Sequence, residues 1–128
     1  MKMILLVLGV FLAFSLAGMV SGAESGGKRL QHVVSLKFKA TATPAQIDAV
    51  VSAFRDLKKK IPAIHKLEWG TNVSPEKHDK GFTHVFVLSF ASDKDRDVYL
   101  VHPDHKAFGK VLGPVMADVF VLDFWAQD

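Results

Sequence analysis

The chain has 128 residues, no cysteine and a formal net charge of +3. Without cysteine it can contain no disulfide, no thiolate nucleophile and no cysteine metal ligand. A charge this small does not indicate a nucleic-acid partner. The length suits one small domain behind an N-terminal segment.

The first 23 residues are typical of an export signal. Lys2 supplies a short positive region, residues 3–20 carry no charge, and the small residues 21–23 suit a cleavage site. The apolar run is also about long enough to stay as a membrane anchor, since roughly 18 to 20 residues span a bilayer. We expect cleavage near Ala23. The mature protein would then be periplasmic or secreted, without membrane attachment, and with a net charge of +2 because Lys2 is the one charge removed.

Four segments of the remaining chain are predicted strands. A polar, glycine-rich leader at residues 24–30 precedes a domain that we place at residues 31–126. Strands are predicted at residues 32–39, 65–73, 82–91 and 118–126 from alternating apolar positions. The alternation places His32 in line with Val34 and Leu36, and His84 in line with Phe86.

Two predicted helices lie between these strands. Thr43 and Gln46 form a capping box that opens the first helix, whose lysine-rich end at residues 58–60 is interpreted as solvated. Ser92 opens the second helix in the same way, and His102 with Pro103 restarts it as a new cap and first turn. The apolar stripe after this restart consists of His105, Phe108, Leu112 and Val115.

The order of elements predicts an α+β fold. Strand, helix, strand, strand, helix, strand is the ferredoxin-like βαββαβ arrangement, a four-stranded antiparallel sheet with the helices on one face. The other face is also apolar, with Val33, Val85 and Val87, although a solvated face should be polar. The last strand adds to that face either Val119, Val121 and Trp125 or Phe120, Leu122 and Phe124. We therefore predict a homodimer through this face; the alternative is a monomer with a few exposed valines.

Several motifs resemble the stress-responsive A/B barrel family. They are His-Val-Val-Ser-Leu-Lys-Phe at residues 32–38, Trp-Gly at 69–70, Gly-Phe-Thr-His at 81–84, Tyr-Leu-Val-His-Pro-Asp-His at 99–105 followed by Phe108, and Asp-Phe at 123–124. The combination of the strand histidine and the His-Pro-x-His motif is more specific than either alone. The resemblance implies a dimeric α+β barrel, in agreement with the two apolar sheet faces.

Three histidines fall on positions that the patterns predict to be buried. His32 and His84 face the helices from the sheet, and His105 faces the sheet from the second helix, so their rings are predicted to converge in one apolar cleft. Tyr99 is predicted to reach its mouth. Any one of these histidines alone would be read as a hydrogen-bonded core residue. Together they indicate a ligand-binding pocket, in which desolvation keeps imidazoles neutral.

Several functions remain open for this pocket. The first is binding of a small apolar or carbonyl-containing molecule without catalysis. The second follows from similarity to a plant polyketide cyclase of the family, which implies a cofactor-free enzyme with His105 as general base and Tyr99 as hydrogen-bond donor to the substrate oxygen. His32 and His84 match its other pocket histidines, whereas Phe82 replaces a tyrosine common there.

Two cofactor-dependent roles carry less weight. A metal site of His32, His84 and His105 is conceivable, because three-histidine sites exist. A haem-dependent role is also open, but nothing in the sequence distinguishes one histidine as an axial ligand from the others. We expect neither a metal nor a cofactor. The export signal favours a binding or stress-related domain over the cyclase, since polyketide intermediates are intracellular; whether the chain is an enzyme stays open.

Overall fold

The elements of the fold follow the predicted order. The structure, a computed structural model, describes residues 28–128, so the predicted export signal and most of the leader lie outside the described residues. The elements are β1 (Leu30–Phe38), α1 (Pro44–Lys60), β2 (Lys66–Thr71), β3 (His84–Phe90), α2 (Asp93–Val101), α3 (Pro103–Leu112), a 3₁₀ turn (Gly113–Val115) and β4 (Met116–Trp125). Within residues 28–128, no helix is long and apolar enough to cross a membrane.

The four strands form one antiparallel sheet in the order β2-β3-β1-β4. The βαββαβ prediction is confirmed, with α2 and α3 together taking the place of the second helix. All three helices cover one face. The core beneath them centres on Phe54 of α1, whose ring stacks 4.0 Å from Phe86 of β3 and lies 4.6 Å from Phe108 of α3.

Side chains cap all three helices at the predicted residues. The capping box of α1 is complete, because Gln46 N–H donates to Thr43 Oγ1 (3.2 Å) and Thr43 N–H donates to Gln46 Oε1 (2.9 Å). Ser92 Oγ accepts from the backbone N–H of Asp95 at 3.1 Å and caps α2. Among the described residues the Asp95 side chain does not accept a hydrogen bond from the backbone N–H of Ser92. The second capping box is therefore only half formed. His102 ends α2 and caps α3, its Nδ1 accepting from Asp104 N–H at 3.1 Å.

The register of β4 decides which of its two apolar sets faces the helices. Residues opposite each other in an antiparallel pair point to the same side of the sheet. Val121 lies opposite Val34, and Asp123 lies opposite His32, so both point to the helix side. The open face therefore carries Phe120, Leu122 and Phe124, which are 49%, 55% and 51% exposed. With Val33, Val85 and Val87 they form what we call the open sheet face.

All four strands differ from their predicted bounds by one or two residues at each end, and two of these differences have reasons that are visible in the hydrogen bonds. β1 begins at Leu30, which had been assigned to the leader; Leu30 pairs with Phe90 and Trp125 and is buried in the core. β3 begins at His84 rather than at residue 82, because the N–H of Phe82 bonds to the carbonyl of Asp79 within the preceding turn.

Candidate functional site

A cleft of about 420 Å³ opens between the α2–α3 pair and strands β1 and β4. Its volume lies in the range of roughly 300 to 1,000 Å³ that is usual for small-molecule sites. Most of its wall is apolar, and three of its side chains are chemically versatile: His32, Tyr99 and His105. The rest of the wall comprises Val34, Phe54, Leu100, Lys106, Phe108, Gly109, Leu112, Val119 and Val121.

Tyr99 links the two histidines of this cleft. Its ring centre lies 5.6 Å from that of His32 and 4.4 Å from that of His105. Only 1% of its surface is exposed, so Tyr99 lies inside the cleft and not at its mouth as predicted. Burial raises the pKa of Tyr99, which keeps the phenol protonated and able to donate.

His84 does not join the other histidines, and the predicted convergence of three imidazoles is wrong for it. His84 lies opposite Leu36 on β1, four residues along the strand from His32, which corresponds to about 13 Å. Its ring instead packs edge-on to Phe38 at 5.1 Å and parallel to Trp69 at 6.4 Å. Burial lowers the pKa of His84, and nearby Asp48 partly opposes this. The parity prediction was correct, but parity does not give position along the strand.

The separation of His84 also removes the proposed three-histidine metal site. Within the part of the chain that the structure describes, no group of three or more histidine or carboxylate side chains could hold a metal ion. The polar groups of the cleft are therefore best interpreted through their hydrogen bonds.

His105 has a tautomer fixed by the backbone. Its Nδ1 lies 3.0 Å from the carbonyl oxygen of Leu100, which can only accept, so Nδ1 carries the proton and Nε2 keeps its lone pair. Burial lowers the pKa of His105, protonation of the neighbouring His32 or His102 would lower it further, and the bond to Leu100 acts in the opposite direction. The ring is consequently a neutral acceptor near pH 7.

Two site residues, Asp123 and Arg96, were missed from the sequence. Nδ1 of the buried His32 lies 2.6 Å from Asp123 Oδ1, and the guanidinium of Arg96 donates to Asp123 Oδ2 at 3.0 Å. Asp123 could have been found, because it is the single charged residue in the apolar run 119–125. Nothing in the sequence singles out Arg96, whose role depends on how α2 packs beside β4.

Three polar atoms in this cleft lack a protein partner. Every wholly buried side-chain nitrogen or oxygen of the described residues has a hydrogen bond. His32 Nε2, His105 Nε2 and Tyr99 Oη have none within residues 28–128, so they must be open to solvent through the cleft that these residues line. The arrangement offers to a ligand two imidazole nitrogens, of which His105 Nε2 is an acceptor, and one phenol.

A second cleft, of about 450 Å³, lies on the open sheet face. Ser35, Val85 and Phe120 form its floor, and the loop residues around His78 and Phe82 form its rim. This second cleft is slightly larger, but its histidine, His78, is exposed, and none of its described polar lining residues is buried. The first cleft contains the buried His32 and Tyr99, so we favour it as the candidate site.

Comparison with known proteins matches residues 30–126 to the family described as the stress responsive A/B barrel domain. The chain belongs to this family. The resemblance inferred from the motifs is thereby confirmed, and so is the ferredoxin-like α+β fold.

Two relatives of the chain carry different descriptions. The chain is 30% identical over 95 residues to olivetolic acid cyclase of Cannabis sativa, covering 74% of this chain and 94% of the relative. It is 28% identical over 95 residues to stress-response A/B barrel domain-containing protein HS1 of Arabidopsis thaliana, covering 74% and 87%.

Solved structures share the fold of this chain. Hydroxynitrile lyase from Passiflora edulis superposes with a TM-score of 0.73 at 25% identity, covering 78% of this chain and 94% of that one. A dimeric ferredoxin-like protein of unknown function from Thermobifida fusca superposes with a TM-score of 0.67 at 22% identity, covering 77% and 92%.

Proposed function

We propose that this A/B barrel domain binds a small, largely apolar molecule with a polar group in the cleft of His32, Tyr99 and His105. The observation that carries the proposal is the set of three unpartnered polar atoms in an otherwise apolar cleft. A ligand that replaces the solvent at these atoms with its own hydrogen bonds also buries its apolar surface against the apolar wall, so it gains from both.

A ligand screen tests this proposal directly. Apolar alcohols, phenols and carbonyl compounds would be ranked by the rise in melting temperature that they cause, and then by calorimetric titration. His105→Ala should weaken the best ligand about tenfold, the effect of one well-formed hydrogen bond and lost packing. The matched control is His65→Ala, which changes an exposed histidine just before β2 that does not line the cleft. This variant should bind the ligand as tightly as the wild type. Failure of every compound to stabilise the protein would refute the proposal.

A second candidate function is cofactor-independent catalysis, which the geometry of His105 and Tyr99 favours. A neutral imidazole with a free Nε2 can remove a proton next to a carbonyl, and a protonated phenol 4.4 Å away, ring to ring, can donate to the oxyanion that forms. The names of two similar proteins, a cyclase and a lyase, support an enzymatic role for this chain.

Deuterium exchange into simple ketones would detect this chemistry without knowledge of the true substrate. Exchange of the protons next to the carbonyl, followed by NMR in D₂O, should fall to background in His105→Ala and Tyr99→Phe. Exchange in His105→Ala equal to that of the wild type, with the fold intact, would exclude His105 as the base.

The domain is further proposed to act as an exported homodimer. The open sheet face exposes three large apolar side chains on β4 alone, and large contiguous apolar patches commonly mark protein interaction surfaces. Three similar ferredoxin-like proteins are described as dimeric, which supports the same assembly here. Export rests on the N-terminal sequence, and detection of a mature N-terminus near residue 24 in the extracytoplasmic fraction would test it.

A further inference from the structure

A chain of hydrogen bonds connects Arg96 on α2 to the cleft. The guanidinium donates to Asp123 Oδ2 at 3.0 Å, and the other oxygen of the same carboxylate lies 2.6 Å from His32 Nδ1. Arg96 and Asp123 are both partly buried, with 24% of each side chain exposed, whereas only 6% of the His32 side chain is exposed. The chain thus runs from the protein surface to a buried ring of the cleft.

We propose that Arg96 is a positioning residue that sets the hydrogen-bonding character of His32. Both oxygens of the Asp123 carboxylate are engaged, one by Arg96 and one by His32, so the carboxylate is held in the orientation that accepts the Nδ1 proton. A histidine tautomer is set by the bond that the other nitrogen makes. His32 is therefore held with Nδ1 protonated, and Nε2 presents a lone pair to the cleft.

This arrangement makes the cleft selective for ligands with hydrogen-bond donors. His105 Nε2 is a second acceptor, because its Nδ1 is held by the carbonyl of Leu100. Two acceptors on rings that both contact Tyr99 match a ligand that presents hydroxyl groups, and they leave an ether or a ketone oxygen unmatched at either imidazole. The selectivity rests on the proposed ligand site, whereas the tautomer of His32 is a property of the protein alone.

NMR measures the tautomer without any ligand. Two-bond nitrogen–proton correlation spectra at pH 8.5, with His32 assigned by loss of its signals in His32→Gln, should show the Nδ1-protonated form in the wild type. Arg96→Gln should raise the Nε2-protonated fraction, and Asp123→Ala should raise it further. The matched control Asp97→Ala removes the acceptor of the other Arg96 bond, which is 2.9 Å long, and should resemble the wild type.

Three outcomes of this experiment would overturn the role of Arg96. They are a doubly protonated or Nε2-protonated His32 in the wild type, an unchanged tautomer in Arg96→Gln, and an equal change in Asp97→Ala. None of these outcomes depends on ligand binding. They can therefore be told apart from a result in which the protein binds no ligand.

A pair of probes tests the consequence for selectivity. 4-Propylphenol and 4-propylanisole differ only in whether the oxygen carries a proton or a methyl group. The wild type should bind the phenol about fivefold more tightly, as expected for one additional neutral hydrogen bond. Arg96→Gln should lower this preference, because only the acceptor on His105 then stays fixed. An unchanged preference in Arg96→Gln would contradict the inferred link to the ligand, whereas binding of neither probe by the wild type would count against the ligand site itself.

Discussion

The ring centres of Tyr99 and His105 lie 4.4 Å apart, although the two residues are six positions apart in the chain. On one continuous helix this spacing would place their side chains about 120° apart around the axis. The break at His102 and Pro103 brings them together. His102 leaves the helical conformation with ψ of 138°, and Pro103 then begins α3 in a new direction. The cleft therefore depends on a helix cap as much as on its lining residues.

Loss of the His102 cap should weaken both the fold and the site. His102→Ala leaves the N–H of Asp104 without its partner and should lower the free energy of unfolding by about 1 kcal/mol, the usual cost of losing an N-cap. It should also weaken ligand binding several-fold, because α3 carries His105. Urea denaturation and calorimetric titration measure the two effects.

The cap of α1 offers a matched control for that variant. Thr43→Ala removes an equivalent cap far from the cleft and should cost about the same 1 kcal/mol. Ligand affinity should be unchanged in Thr43→Ala. Equal affinity losses in the two variants would show that stability, and not the orientation of α3, controls binding.

The protein should lose stability as the solution becomes mildly acidic. Burial lowers the pKa of both His105 and His84 below the ordinary value of 6.5. Between the lowered folded values and about 6.5, the unfolded chain binds more protons than the folded one. The free energy of unfolding therefore rises with pH through this window and falls as pH drops from about 7 toward 5.

A glutamine at position 105 isolates one part of this effect. His105→Gln cannot be protonated, so it should lose less stability than the wild type between pH 7.5 and pH 5, as measured by urea denaturation. His65→Gln changes an exposed histidine and should retain the wild-type pH dependence. A steeper acid loss in His105→Gln than in the wild type would contradict the lowered pKa.

Phe54 is expected to be the most sensitive position of the core. Its ring is 1% exposed, contacts Phe86 and Phe108, and forms part of the cleft wall. Phe54→Ala should reduce the free energy of unfolding by about 3 to 5 kcal/mol, because the cavity left behind adds to the lost transfer energy. Phe54→Leu should cost less. Chemical denaturation measures the loss in free energy of unfolding for both variants. A smaller loss for Phe54→Ala than for Phe54→Leu would be inconsistent with this packing.

The proposed dimer depends on β4. Leu122→Glu places a charge in the centre of the open sheet face and should shift the protein from dimer to monomer in analytical ultracentrifugation, since unpaired charges are strongly disfavoured in an apolar interface. Val73→Glu, at a side chain that is 90% exposed in the loop after β2, should leave the sedimentation unchanged. A monomeric wild type, or a dimer that survives Leu122→Glu, would argue against this interface.

The sequence predicted the elements well and the site incompletely, for identifiable reasons. Alternation placed His32 and His84 on the correct side of the sheet, because side chains of a strand repeat every two residues. Alternation carries no register, so it could not show that four residues of β1 separate the two. The capping residues were correct because caps are local interactions.

The contacts of Asp123 also depend on strand register, which the sequence pattern does not give. Its partner His32 is 91 residues away in the chain and is brought opposite it only by the β1–β4 pairing. Arg96 reaches the same carboxylate from a helix. Long-range pairs of this kind depend on register and helix placement, which no local pattern encodes.

The position of β4 at the edge of the sheet gives Asp123 a second consequence. An edge strand presents free backbone groups to other chains, and residues 119–125 are rich in β-branched and aromatic side chains. Asp123 is the one charge that interrupts this segment, as gatekeeper residues do in aggregation-prone strands. We expect replacement of Asp123 by an apolar residue to promote fibrillar association of newly made chains before they can find a partner.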